Sequence, residues 1–302
     1  TFDGRGNRII GLTVSGENAG IFSTIGTNGV VKDVNIYSGT FTGTTTAGAV
    51  AGKNKGRIEG IVTFGNTVTV TDEDGNAGGI VGINSSGEFK DNANDGELTG
   101  GIYDVESTGS VIAGSSSAVA GGLVGTNDGG LANSFSDSAV TVGTNVTGGT
   151  SAGLGGVVGV NTEKGNVQYV DSLGVTNGGA TGSSNIGGII GINNGNMYSG
   201  YNESIVSGSS NVGGIIGNNS STVANVVNAT SVTGNDKDTT DVSEYVGGLV
   251  GNNNGDVNNG RNNGTITGTK YVGGMVGNNA EGSTLTNLVN DSSAAISGVQ
   301  SV

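Results

Sequence analysis

The chain has 302 residues, contains no Cys, His, Pro or Trp, and carries a formal net charge of −14 at pH 7. Without Cys and His, catalysis by a Cys–His or Ser–His pair is excluded and a zinc site is disfavoured. The negative charge argues against nucleic acid as a partner, because proteins bind a phosphate backbone mainly through Lys and Arg. The apolar runs are only a few residues long, which predicts no membrane insertion.

A glycine motif returns along the whole sequence and organises it. Its fullest copy occupies residues 245–255, with the sequence YVGGLVGNNNG. Six further copies keep two glycines, two apolar residues and a third glycine, at residues 78–82, 121–125, 155–159, 187–191, 213–217 and 273–277. Two degenerate copies precede them, at 19–22 and 47–50. The second glycines of successive copies lie 26 to 43 residues apart, an interval typical of a solenoid repeat.

Each repeat divides into three short apolar segments separated by Gly, Asn and Ser, and none keeps helical spacing. The first segment is the glycine motif, and the third closes the repeat, as in Val232-Thr233-Gly234. The second has an apolar residue about nine positions after the second glycine of the motif: Val31, Ile58, Phe89, Leu131, Val167, Met197, Val223, Val257 and Leu285. Such strands are stable only if they pair with the next coil, about 4.8 Å away. The sequence therefore predicts an all-β parallel β-helix, or β-solenoid, of about nine three-strand coils.

The whole chain, residues 1–302, is predicted to form this single solenoid. Residues 1–60 hold the degenerate first coils. Residues 98–118 and 235–244 lengthen their repeats, and we expect them to leave the rod as inserted loops. Loops of this kind often carry binding function, although a tolerated insertion is the alternative.

The glycine motif leaves two structural questions open. Its glycines either adopt torsions that other residues avoid or make room for a close approach of two backbones. The two apolar residues that follow the double glycine would face opposite sides of a regular strand. Either a bend turns both inward, or one column, which includes Leu249, forms an exposed apolar stripe.

An asparagine follows the second glycine by five residues in seven copies, and Lys53 takes this position in an early copy. Stacked side-chain amides can hydrogen-bond from coil to coil, and Asn tolerates left-handed turn torsions. We therefore predict a structural ladder rather than a binding site, formed by Asn84, Asn127, Asn161, Asn193, Asn219, Asn253 and Asn279.

The repeat Gly-Gly-[Leu/Ile/Val]-[Val/Ile]-Gly-x-Asn, followed by a turn, an apolar strand and a closing Val-Thr-Gly, resembles the GLUG-motif repeat of large bacterial surface proteins. These include secreted adhesins and the non-catalytic regions of some surface peptidases. Residues 2–14 are similar to the start of such regions, whereas the first two copies and the 43-residue interval depart from the pattern. The resemblance implies a right-handed parallel β-helix at a bacterial surface and no particular ligand.

Two acidic clusters are candidates for calcium, because clustered carboxylates supply oxygen ligands. Asp72 and Asp74 lie in one, and Asp236, Asp238 and Asp241 lie in the other. Neither completes a known calcium-loop pattern, so no cofactor is expected, with calcium the only candidate.

Tyr245 and Tyr271 lie 26 residues apart, which predicts one column on neighbouring coils, beside Asn185 and Asn211. Outward tyrosines in such a column would form a sugar-binding platform, and a mutually packed surface pair is the alternative.

From these features we expect a non-enzymatic protein, the β-helical shaft of an adhesin or surface filament, secreted or held at a bacterial cell surface. Its partner would be a glycan or protein on a host or neighbouring cell. Two alternatives remain open: a fibre subunit that associates head to tail through uncapped coils, and a polysaccharide-active β-helix enzyme. The enzyme would need carboxylates that converge on one face, and the Asp and Glu residues keep no common column.

Overall fold

The computed structural model describes residues 1–89, 98–115, 117–143, 153–179, 183–234, 244–291 and 295–298. These residues form 35 strands, and none of them lies in a helix that could cross a membrane. The chain winds into a stack of coils in which each strand pairs in parallel with the equivalent strand of the next coil. The prediction of an all-β parallel solenoid of about nine coils is confirmed.

One side of the solenoid is a nine-stranded parallel sheet. Its strands have four residues each and begin directly after the bend in the glycine motif. They are β3 (Phe22–Ile25), β6 (Ala51–Asn54), β9 (Val81–Asn84), β14 (Val124–Asn127), β17 (Val158–Asn161), β21 (Ile190–Asn193), β25 (Ile216–Asn219), β29 (Val250–Asn253) and β33 (Val276–Asn279).

The remaining sides of the coils form a 24-stranded network. Its first twelve strands are β1 (Phe2–Ile10), β2 (Thr13–Ala19), β4 (Val30–Tyr37), β5 (Thr40–Gly48), β7 (Arg57–Val70), β8 (Asn76–Gly78), β12 (Gly101–Ala113), β13 (Val119–Gly121), β15 (Gly130–Val142), β16 (Gly153–Gly155), β18 (Asn166–Ser172) and β19 (Val175–Asn177). The other twelve are β20 (Ser184–Gly187), β22 (Asn196–Asn202), β23 (Ile205–Gly208), β24 (Ser210–Gly213), β26 (Thr222–Asn228), β27 (Val232–Gly234), β28 (Tyr245–Gly247), β30 (Asp256–Asn262), β31 (Ile266–Gly268), β32 (Tyr271–Gly273), β34 (Thr284–Asn290) and β35 (Ile296–Gly298).

The core is the interior of the coils, filled by apolar columns from each side. In one coil, Val250 of β29, Val257 of β30 and Ile266 of β31 are all fully buried. Like residues stack from coil to coil, so Val250 lies opposite Val276 in β33. Because no coil can bury these side chains alone, stacking is what makes the core.

The glycine motif forms the corner between two sides of each coil. β24 ends at Gly213, β25 begins at Ile216, and the apolar residues Ile215 and Ile216 are both fully buried. The bend therefore turns both apolar columns inward, and the alternative of an exposed stripe is wrong for the inner coils. A Cβ on Gly214 would collide with the carbonyl oxygen of Gly248, and no motif glycine has a positive φ among the described residues. The motif glycines therefore serve close backbone approach rather than unusual torsions.

A second bend recurs in the strand that follows each ladder asparagine. It is a single residue with φ between 48° and 61°, at Asp33, Gly60, Asp104, Asn133, Tyr169, Ser199, Asn225, Asn259 and Asn287. This left-handed residue interrupts the in–out alternation. In β22, for example, Tyr198 and Tyr201 are both exposed although they are three residues apart.

The structure corrects the predicted loop at residues 98–118. β12 lies within the solenoid, paired in parallel with β7 and β15, so this segment is part of a coil. Ile102, not Phe89, takes the second apolar position, opposite Ile58 and Leu131. The added length lies just before it, where β10 (Glu88–Phe89) and β11 (Leu98–Thr99) pair in antiparallel fashion. The other predicted loop, 235–244, falls outside the described residues except for Glu244.

Candidate binding face

A ladder of asparagine side chains runs along the inside of the nine-stranded sheet. Each amide donates from Nδ2 to Oδ1 of the asparagine in the next coil, at 2.7–2.9 Å, from Asn54 to Asn279. The interior members are fully buried, so they are out of reach of a ligand. The ladder is a structural element that ties the coils together.

The early end of this ladder differs from the prediction that Lys53 belongs to it. Asn54 lies opposite Asn84, whereas Lys53 lies opposite Ile83. The cause is the register of the degenerate copies, because Gly48 pairs with Gly78, the first glycine of the next motif, rather than with the second.

A second asparagine ladder, not predicted from the sequence, lies at the ends of β22, β26, β30 and β34. Asn202, Asn228, Asn262 and Asn290 are linked from Nδ2 to Oδ1 at 2.8–2.9 Å. In the preceding coil Ser172 takes the equivalent position. Part of the signal is present in the sequence, since the first two intervals between these asparagines, 26 and 34 residues, equal those of the glycine motif in the same coils. Asn is so abundant, however, that the column is hidden.

Tyr245 and Tyr271 lie opposite each other in β28 and β32, with ring centroids 5.3 Å apart and ring planes tilted by 38°. Their column continues to Asn211 and Asn185, whose side chains are hydrogen-bonded at 3.0 Å. Tyr271 is 36% exposed, so the pair is both mutually packed and accessible from one side. A sugar-binding role for it stays a prediction.

The calcium candidates receive no support from the described residues, which contain no group of three or more acidic, His or Cys side chains placed to hold an ion. Asp72 and Asp74 lie in an exposed turn that Ser115 holds through hydrogen bonds to backbone carbonyl oxygens. Asp236, Asp238 and Asp241 lie outside the described residues.

The strongest cluster of exposed functional side chains was not predicted. It lies on neighbouring coils, on the outer surface of β15, β18 and β22 and of the residues just after them. We call it the tyrosine–acid face, and it consists of Tyr169, Tyr198, Tyr201, Asp137, Asp171 and Glu203. The pairing register decides its geometry: Asp171 lies opposite Tyr201, and Gln168, which precedes Tyr169, lies opposite Tyr198.

The tyrosines of this face stand at the surface rather than in the core. Tyr169, Tyr198 and Tyr201 are 39%, 36% and 38% exposed. The rings of Tyr169 and Tyr198 meet edge to face with centroids 6.0 Å apart. Tyr201 donates a hydrogen bond from its hydroxyl to Oε1 of Glu203 at 3.0 Å.

Burial and the nearby Glu203 change the pKa of two groups of this face, Asp171 and Tyr201. Burial and, secondarily, the negative charge of Glu203 raise the pKa of Asp171. The hydrogen bond to Glu203 is the largest cause of a raised pKa at Tyr201, followed by burial and by the charges of Glu203 and Asp171. Asp171 and Tyr201 therefore both lie close enough to Glu203 for its negative charge to act on them.

A cavity at the first coil offers different chemistry. Its lining includes Phe2 and Phe22, whose rings lie 5.4 Å apart, together with Ile25 and Val31. None of its lining residues carries a side-chain carboxylate, so it lacks the acid pair of a glycoside hydrolase.

Comparisons of this chain with family models, with curated proteins and with solved structures find no match. The resemblance to the GLUG-motif repeat therefore stays a prediction that rests on the residues that carry it.

Proposed function

We propose that this chain is a non-enzymatic display protein: the β-helical shaft of a bacterial adhesin or surface filament, secreted or held at the cell surface. The observation that carries the proposal is the unbroken hydrogen-bonded asparagine ladder from Asn54 to Asn279. A solenoid whose coils are hydrogen-bonded to one another in this way is a rigid spacer. Such a spacer is useful where a binding surface must be held at a distance from the point at which the protein is attached to the cell.

The surface chemistry supports the same role. The net charge of −14 and the polar exterior keep a rod with an apolar interior soluble and discourage lateral pairing of sheets. The exposed tyrosines beside carboxylates provide a surface that can bind a partner without carrying out chemistry on it. The partner in this proposal is a glycan or protein on a host or neighbouring cell.

Beads coated with the purified chain test the proposal. We expect them to adhere to at least one surface in a panel of bacterial and eukaryotic cells, whereas beads coated with heat-denatured chain should not. The same samples should release no reducing ends or unsaturated products from a polysaccharide panel. Turnover that is lost in an Asp171→Asn, Glu203→Gln variant would instead support the polysaccharide-active enzyme.

Head-to-tail association is a second candidate, favoured by the apolar surface of the last described coil. Leu285 is 41% and Ile296 49% exposed, whereas their counterparts Val257 and Ile266 in the preceding coil are buried. Negative-stain electron microscopy across a concentration series tests it. Fibres that lengthen with concentration and disappear in a Leu285→Lys, Ile296→Lys variant support association, and discrete short rods at every concentration contradict it.

A further inference from the structure

We infer that the tyrosine–acid face binds a cationic polypeptide segment, a run rich in Lys and Arg presented by a partner protein. The inference names the partner class of the proposed display function, and it rests on that function for the assumption that the partner is presented on another surface. The test of the inference uses purified components in solution. Its result is therefore independent of the cell-adhesion test of the proposed function.

The negative charge of this part of the solenoid favours a cationic ligand. Residues 91–236 contain a single basic residue, Lys164, which lies in the turn before β18 rather than on the face. Asp137, Asp171 and Glu203 form no ion pair with any described Lys or Arg. An incoming cation would therefore meet several carboxylates and no competing Lys or Arg among the described residues. The same negative charge repels anionic glycans and nucleic acids.

The tyrosines add a second means of recognising cations. Lys and especially Arg side chains pack over aromatic rings through cation–π attraction, and the neighbouring carboxylates strengthen the local field. Tyr169 and Tyr198 present their rings side by side at the surface of two consecutive coils. Tyr201 stands in the next outward position of β22, where the left-handed residue Ser199 has interrupted the alternation.

Tyr169 stands at the left-handed bend of its own coil. Its φ is 51°, although the equivalent position in other coils holds mainly Asn, Asp or Gly, which tolerate this torsion. At this bend the ring of Tyr169 packs against that of Tyr198.

The dimensions favour an extended chain over a single ion. The face covers three coils, about 10 Å along the axis at a strand spacing of about 4.8 Å, and Glu106 on β12 extends the acidic surface by one coil more. Same-side residues of an extended peptide are about 7 Å apart. A basic segment of about four to six residues would therefore reach all three carboxylates of the face.

Fluorescence anisotropy of labelled hexalysine and hexaarginine with the full chain at low ionic strength tests the inference. The face variant is Asp137→Asn, Asp171→Asn, Glu203→Gln. The matched control, Asp72→Asn, Glu73→Gln, Asp74→Asn, removes the same charge from an exposed turn. We expect the face variant to weaken binding at least tenfold and the control less than twofold, with circular dichroism unchanged in both.

A second variant, Tyr198→Leu, Tyr201→Leu, keeps apolar bulk and removes the aromatic rings. We expect it to weaken hexaarginine binding about threefold or more. Hydrogen exchange with bound hexaarginine should protect β18 and β22 more than β30. Equal binding by the face variant and the control would overturn the inference, and so would no binding to the wild-type chain. Tighter binding of neutral cellohexaose or of cationic hexaglucosamine than of both peptides would also overturn it, by assigning the face to a glycan.

Discussion

The asparagine ladder shows how one residue type can serve two neighbours at once. Asn193 accepts from Asn161 and donates to Asn219, both at 2.9 Å, inside a fully buried column. Other members also use their second amide hydrogen, as Asn127 does toward the carbonyl oxygen of Gly129 at 2.8 Å. Because each amide is both donor and acceptor, removal of one leaves a buried donor on one side and a buried acceptor on the other.

The first prediction concerns this ladder. Asn193→Ala should destabilise the solenoid by about 2–4 kcal/mol, because two buried polar groups lose their partners at about 1–2 kcal/mol each. The change is measured as a lower urea midpoint and a lower Tm. Asn194→Ala, at the exposed neighbouring position, is the control and should change stability by less than about 0.5 kcal/mol. Equal effects of the two substitutions would contradict a stabilising ladder.

The second prediction concerns Asp171, whose pKa is raised chiefly by burial and then by Glu203. A raised pKa means that the folded protein holds this proton more tightly than the unfolded chain does. The carboxyl therefore favours folding below its ordinary pKa of 3.8, and that contribution is lost as the pH rises through the folded pKa. Asp171→Asn should raise Tm at neutral pH relative to wild type, and this gain should shrink below the ordinary pKa.

Two further measurements sharpen this prediction. Phe135 and Tyr201 flank Asp171 in its column, and Glu203 is the charged group that acts on it. In a Glu203→Gln background the gain from Asp171→Asn should become smaller and still be present, because burial is the larger cause. A gain in Tm of the same size at neutral pH and below the ordinary pKa would show that the carboxyl of Asp171 has the same pKa in the folded and unfolded protein.

At the scale of the strand and turn, the glycine motif is the element on which the coil depends. Its corner brings the backbones of consecutive coils so close that a side chain does not fit between them. The third prediction is that Gly214→Ala destabilises the protein by about 3 kcal/mol, because a Cβ there would collide with Gly248 and Asn228. Thermal unfolding measures this loss.

Gly16→Ala is the matched control for this substitution. Gly16 also lies in a strand, β2, and an added Cβ would have no atom within 4 Å. Its replacement should change stability by less than about 0.5 kcal/mol. If Gly16→Ala cost as much as Gly214→Ala, loss of glycine itself rather than close backbone approach would explain the motif.

The fourth prediction separates the added segment from the coil that follows it. Gly87 and Gly101 lie against each other, since a Cβ on Gly87 would come within 2.8 Å of the Cα of Gly101. Replacing residues 88–99 by a short Gly-Asn turn should therefore leave the circular dichroism spectrum unchanged and keep Tm within a few degrees. Deleting residues 101–113 instead removes β12 from between β7 and β15, and should abolish folding of the neighbouring coils.

Much of the fold could be predicted because the strands and the corner of each coil are encoded by a short stretch of sequence within each repeat. The sequence alone predicts a loop at 98–118 because Leu98-Thr99-Gly100 resembles the closing strand of a repeat. Only the pairing of Ile102 with Ile58 and Leu131 reveals the coil. The tyrosine–acid face could not be predicted at all. Its residues come from different coils, and a left-handed residue inside each strand changes which side chains point outward.

At the scale of the whole molecule, the proposed function requires a straight spacer whose length is set by the number of coils. One outward column runs from Asn35 to Val289 through eight consecutive strand pairings. At about 4.8 Å per pairing this column is about 38 Å long. Stacked ladders and buried columns should hold that distance nearly constant, as a shaft requires.

The measurement that tests this rigidity most directly is the distance between spin labels at Asn35→Cys and Val289→Cys, by double electron–electron resonance. The chain has no Cys of its own, so the two labels are unambiguous. We expect a single narrow distribution at about 38 Å, and a shorter distance of about 29 Å for the pair Asn35→Cys and Val227→Cys, six pairings apart. A broad distribution, or distances that do not scale with the number of coils, would contradict the proposal that this protein is a rigid shaft.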